Sequence, residues 1–199
     1  MPTGVAIRDV REQLFDAAEK VLLRAGPSAL TSRSVTAEAG CAKGVLHRHF
    51  ADFDDFLAAF VLDRSGRMNA RTAALRESAG TGTVADNLTG ALTALFESVA
   101  VAVVALVSFR DELRSRLRQT WPAGVPVLTE AATMIADYLA AEQAVGRLAV
   151  DADVETLAAM LIGTGHLLYA DRRGARPPTD AVRRMVGNVL ASAGPAPRD

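Results

Sequence analysis

The chain lacks the raw material for several common kinds of protein. A single cysteine, Cys41, excludes an internal disulfide framework and fits a reducing compartment. The opening "MPTGVAIRDV" has no apolar core of the kind a secretory signal needs, so the cytoplasm is the expected location. Net charge is close to balance at -1, with a pI near 6.3, so nothing draws the whole molecule to nucleic acid or to an anionic membrane, and any polyanion site must be local. Lysine is almost absent: Lys20 and Lys43 are the two among 22 basic residues, a bias that carries no functional weight.

Catalytic signatures are missing as well. There is no HExxH, no GxSxG and no P-loop, and the string "GTGTVA" at 80–85 follows a helix where a dinucleotide fingerprint requires a strand. His47 and His49 are two apart and point to opposite sides of a helix, so with Cys41 they make a poor zinc set. No enzyme activity, cofactor or metal is therefore expected. No segment alternates with period two, and there is no fixed repeat or low-complexity tract.

What remains is apolar periodicity of about 3.6. Half the residues are hydrophobic, and they predict an all-helical protein of about nine helices. Ile7, Val10, Leu14, Ala17, Val21 and Leu22 mark one face of a first helix that ends near "AGPSA". Thr31 or Ser32 can cap a two-turn helix "SRSVTAEAG", stopped at Gly40, and "KGVLHRHF" follows almost at once. Asp52 and Asp55 resemble a capping box for a long helix running from Phe53 into the seventies. After "SAGTGT", Thr83 caps a helix carrying "ALTALFESVAVAVVALV". Glu97 interrupts that run, and the uncharged part from Ser98 to Arg110 is too short for a bilayer, so a buried central helix is expected and no membrane. Further helices are read over Asp111–Thr120, Val127–Val145, Val154 to about Arg172, and Asp180–Ala193. Between them lie "WPAGVP", Gly146 with the caps Asp151 or Asp153, and "RGARPPTD"; "GPAPRD" is a tail.

Residues 31–53 carry the most specific pattern. Two short helices joined through "GCA" can cross steeply if the turn is tight, which makes a helix-turn-helix. On the second helix Leu46 and Phe50 point to a core shared with Leu30, Val35 and Ala39. Lys43 and His47 occupy the opposite face beside Gly44, which lets a backbone come close. Donors outward and apolar residues inward suit entry into a DNA major groove, while a solvated helix face is the plainer reading of the same residues.

The stretch "ALTSRSVTAEAGCAKGVLHRHFADFDDFLAAFV" resembles the DNA-binding module of the TetR family of tetracycline-repressor-like transcriptional regulators, in the order apolar residue, Thr, small helix, Ala-Gly, Lys-Gly, aromatic-x-His-Phe and Leu-Leu. The match covers about residues 8–60, and "GRLAVDADVETLAAMLIGTGHLL" is similar to the family's paired C-terminal helices. The resemblance implies a three-helix helix-turn-helix head at 1–52 and a ligand-binding and dimerisation domain at 53–199. It further implies a homodimer on double-stranded DNA at a palindromic operator, acting as a repressor. By position, Arg33, Lys43, Gly44 and His47 would be base or groove contacts, and Ser32, Arg48 and His49 would serve phosphates or local packing.

Three residues depart from the family pattern. His47 stands where a tyrosine is usual, so a phenol's phosphate bond would pass to a titratable imidazole. Ala42 replaces a Ser or Thr cap, at about 1 kcal/mol of helix stability. Phe53 replaces a lysine and sits among Asp52, Asp54 and Asp55, whose charges predict modest DNA affinity.

In the C-terminal part, an apolar effector site is expected among Phe96, Val103, Phe109, Trp121, Met134, Tyr138 and His166, with the helix from Phe53 as the lever to the head. A neutral or weakly anionic hydrophobic effector is expected because Glu97 is alone on its helix. Ala158, Ala159, Ile162, Gly163 and Gly165 offer a flat surface of small residues for a four-helix dimer interface. The competing reading is a helical protein that binds or transforms a hydrophobic small molecule without DNA.

Overall fold

A computed structural model describes residues 7–121, 126–170 and 176–191. Every regular element among them is helical: α1 (Ile7–Ala25), a 3-10 turn (Pro27–Ala29), α2 (Ser32–Glu38), α3 (Gly44–His49), α4 (Phe53–Gly66), α5 (Met68–Glu77), α6 (Val84–Phe96), α7 (Ala100–Phe109), α8 (Asp111–Thr120), α9 (Pro126–Ala144), α10 (Val154–Ala170) and α11 (Thr179–Ala191). The all-helical expectation holds. The "WPAGVP" turn, the first part of "RGARPPTD" and the tail "GPAPRD" lie wholly or partly outside the described residues.

Two expected long helices are each broken, which takes the expected nine helices to eleven among the described residues. The first is interrupted at a single turn residue, Arg67, whose backbone stays in the right-handed region (φ −68°, ψ −12°) and which directly follows Gly66, a residue that loses more entropy than most on entering a helix. The second breaks between Phe96 and Ala100. Ser98 accounts for this break. Its hydroxyl donates to the Leu95 carbonyl and accepts from the Ala100 N–H at 3.2 Å, giving the backbone a local alternative to the helical ladder. The apolar run is buried as expected, with Val103 and Leu106 fully covered, and no single helix among the described residues is long and apolar enough to cross a membrane.

The caps follow the local chemistry. Thr31 accepts from Ser34 N at 3.1 Å while Ser34 Oγ accepts from Thr31 N at 2.9 Å, closing a capping box on α2. At the other end of α2, Cys41 N donates to Thr36 O and Gly40 N to Ala37 O. This winding requires the left-handed conformation that Gly40 adopts at φ 65°. Thr83 and Asp153 cap α6 and α10 by accepting from Asp86 N and Thr156 N.

The chain forms two compact units, residues 1–64 with 102–125, and residues 65–101 with 126–199. It passes from the first to the second inside α4, after Arg64, and returns inside α7. The core of the first unit is an aromatic cluster: Phe15 lies 5.6–6.0 Å from the rings of Phe50, Phe56 and Phe60, and Phe53 stacks on Phe56 at 5.6 Å. In the second unit α9 packs on α5 and α10, and α11 packs on α6 and α10.

Candidate nucleic-acid interface and effector groove

α3 has only six residues, too few to hold a helix on its own, so its side chains must anchor it. Leu46 and Phe50 do so from one face, buried with Leu30, Val35 and Ala39. The guanidinium of Arg11 lies 4.5 Å over the Phe50 ring. Gln13 Nε2 donates to Ala39 O at 2.8 Å, tying α1 to the end of α2. With its apolar face thus fixed, the rest of α3 turns outward: Lys43, Gly44, His47 and Arg48 are exposed, as is Arg33 on α2, while Ser32 and His49 are half-buried. A Cβ built on Gly44 would meet nothing within 4 Å, so nothing inside the chain requires glycine there. Ala42 and Lys43 supply no side-chain cap to α3.

The acidic start of α4 is less repulsive than its sequence implies. Arg116 pairs with Asp52 at 2.5 Å and Arg110 with Asp54 at 3.2 Å, and the Arg110 guanidinium lies 5.4 Å over the Phe53 ring. Asp52 also accepts from Asp55 N at 2.8 Å; that backbone N–H, more than Arg116, holds its carboxyl below the ordinary range.

The second unit contains a groove of about 420 Å³. α5 and its cap contribute Ala74, Leu75 and Ser78; α6 contributes Asp86, Asn87, Gly90, Ala91, Ala94 and Leu95; α9 adds Met134. Of the seven residues expected to line an effector site, Met134 alone is part of this groove. Phe96 is buried against the Tyr169 ring at 5.1 Å. Tyr138 is buried in a polar network described next, and Val103 is packed in the core of the first unit. Phe109 is 83 % exposed, and Trp121 and His166 are half-buried. The groove went unseen because its walls are small side chains spaced along α6, a pattern that by itself reads as ordinary helix packing.

Beneath the polar end of the groove lies Glu142, fully buried. It accepts from Tyr138 OH at 2.5 Å and from Gly80 N at 3.1 Å, and pairs with Arg147 at 3.3 Å. Asn87 Nδ2 donates to Tyr138 OH at 3.0 Å and to Thr81 O at 2.9 Å, and Arg147 reaches Gly82 O at 2.6 Å. Together these bonds pin the loop between α5 and α6 onto α9. Burial first, then the Glu142 carboxylate, raises the Tyr138 phenol well above its usual pKa.

The five residues expected at a dimer interface do not share one surface. Ala158, Ile162 and Gly165 face the chain's own core, and a Cβ on Gly165 would stand 2.4 Å from the Phe96 ring. Ala159 and Gly163 are exposed, beside Met160 and Leu167, which are 40 % and 71 % exposed. Among the described residues no group of three His, Cys, Asp or Glu side chains could hold a metal ion.

Residues 14–60 match the family model for bacterial regulatory proteins of the tetR family. Among curated proteins no sequence relative is found. Solved structures are similar over nearly the whole chain. A TetR-family transcriptional regulator from Mesorhizobium loti aligns with a TM-score of 0.69 at 13 % identity, over 95 % of this chain and 96 % of its own. A transcriptional regulator from Rhodococcus sp. RHA1 gives 0.69 at 22 %, over 94 % and 99 %. FadR from Bacillus subtilis, solved with stearoyl-CoA, gives 0.66 at 17 %, over 90 % and 97 %. Residues 14–60 thus carry the N-terminal module of the tetR family of bacterial regulatory proteins, and the chain as a whole has the fold of these solved regulators.

Proposed function

We propose that this regulator is a homodimeric repressor that binds a palindromic operator through α2 and α3 and is released by a small molecule held in the groove of the second unit. The observation that carries the DNA reading is the division of α3 and its flanks into a face buried through Leu46 and Phe50 and an outward face of Lys43, Gly44, His47 and Arg48. Lys43→Ala and Arg33→Ala should each weaken binding to a selected site by about 1 to 3 kcal/mol if the contact is to a base. Fluorescence anisotropy across a salt series checks this. Wild-type affinity in both variants, or binding without a salt slope, would favour the competing reading of a small-molecule protein that does not use DNA.

The dimer reading rests on the exposed strip Ala159, Met160, Gly163 and Leu167 of α10, an apolar surface in which small residues let a partner helix approach closely. A two-fold pair would place the recognition helices about one DNA turn apart. Gly163→Leu should leave the protomer folded, because a Cβ there meets nothing within 4 Å, and should shift the assembly to monomer. Light scattering at micromolar concentration decides it: a monomeric wild type, or a dimeric variant, removes this interface.

An effector can release DNA only by preferring the DNA-incompetent arrangement of the heads. The chain passes between the two units inside α4, inside α7 and again just before α9, and the two passages made within a helix, α4 and α7, are the proposed levers.

A further inference from the structure

Resting on the reading of the groove as the effector site, we infer that its occupant is an apolar molecule whose polar end donates hydrogen bonds, an amine or a hydroxyl rather than a carboxylate or phosphate. The polar groups at the groove are Ser78, Asp86 and Asn87, and their donors are already committed. The Ser78 hydroxyl donates to Leu75 O at 2.6 Å. The Asn87 amide donates to Thr81 O, to Tyr138 OH and, at 3.3 Å, to Ser78 O. Its orientation is fixed by its neighbours: Tyr138 gives its proton to Glu142 and can only accept from Asn87, and the two carbonyls likewise require N–H. Asp86 is a carboxylate, accepting from the Thr83 hydroxyl at 2.7 Å and paired with Arg183.

What these three residues still offer a ligand is lone pairs. A donor head satisfies them. An anionic head meets acceptors and a like charge, and a polar group buried without its hydrogen bond is costly. The expectation of a neutral or weakly anionic effector rests on finding no carboxylate cluster to pair a cation; the groove holds one carboxylate, Asp86, and it is already paired with Arg183. The apolar body has a trough of small side chains to fill, Ala74, Ala91 and Ala94 with Gly90 between the helices, closed by Leu95 and Met134. That shape suits a flat ring system.

Calorimetric titration of the full-length protein with 2-naphthylmethylammonium, 2-naphthol, 2-methoxynaphthalene and 2-naphthoate, which share one apolar body, tests the inference. The ammonium and the naphthol are expected to bind about tenfold or more tightly than the ether and the carboxylate, as one well-made hydrogen bond would give. Their relative order separates the contribution of charge from that of the donor. Gly90→Leu should abolish binding without lowering the thermal midpoint of the free protein, because a Cβ at Gly90 meets nothing within 4 Å and leucine is the better helix former. Naphthoate or the ether binding as tightly as the donors, and lost in Gly90→Leu, overturns the donor-head inference while leaving the groove as a ligand site. Binding that survives Gly90→Leu, or no binding by any of the four, overturns the groove itself and the inference with it.

Discussion

Arg64→Met is expected to destabilise the protein by about 3 kcal/mol, at the lower end of the ~3–5 kcal/mol typical when one member of a buried ion pair is removed. The Arg64 side chain is 3 % exposed, and its guanidinium donates to Glu19 at 2.5 Å, Asp63 at 2.5 Å and Asp16 at 2.8 Å. Burial works most strongly against the charge, but the three carboxylates outweigh it and hold the guanidinium above its ordinary pKa. The stem lies along Phe60, with the guanidinium 5.3 Å from the ring, so α1 and α4 are joined by charge and packing together. The carboxylates keep between about a third and a half of their exposure and can return to water, which places the loss at the low end. Urea unfolding followed by circular dichroism measures it. A change below about 1 kcal/mol would show that the cluster behaves like an ordinary surface ion pair.

Glu142→Ala should have an effect of similar size, about 3 kcal/mol, for the opposite reason: the acceptor disappears and buried donors remain. Tyr138 OH and Gly80 N would lose their partner, and Asn87 at the groove would be held less firmly through Tyr138. Glu142→Gln keeps the shape and one acceptor and should lose less. The network also has a pH signature. Because the fold raises the Tyr138 pKa, the phenol's contribution is complete below its unfolded value near 10 and falls away as pH rises beyond it. The wild type should therefore lose stability between pH 10 and higher values more steeply than Tyr138→Phe. Equal slopes for the two proteins would remove the phenol from the account.

The head was legible in the sequence because its residues state backbone requirements. Thr31 has to cap, Gly40 has to turn, and Leu30, Val35, Leu46 and Phe50 can meet only if two helices cross between them. The interruption at Ser98 was not legible, since apolar periodicity runs straight through it and a serine reveals its backbone bonds only in three dimensions. Arg64 looked like any charge on a helix surface, because its three partners come from α1 and α4 and proximity across 48 residues leaves no local mark. The groove was hidden for a further reason. A cavity is missing volume, and Gly90, Ala91 and Ala94 are individually the least informative residues on α6.

The pairing of Asp52 and Asp54 with arginines of α8 has a consequence for engineering. Specificity swaps join the reading head of one regulator to the sensing body of another, and the natural cut lies after α4. Here that cut would separate Asp52 and Asp54, just after α3, from Arg116 and Arg110, since the unit that contains the head is assembled from residues 1–64 and 102–125. A transplanted 1–64 fragment would carry, just after α3, acidic charge that Arg116 and Arg110 pair in the intact chain. A working graft must carry α8 with the head, or replace both aspartates while keeping an N-cap for α4.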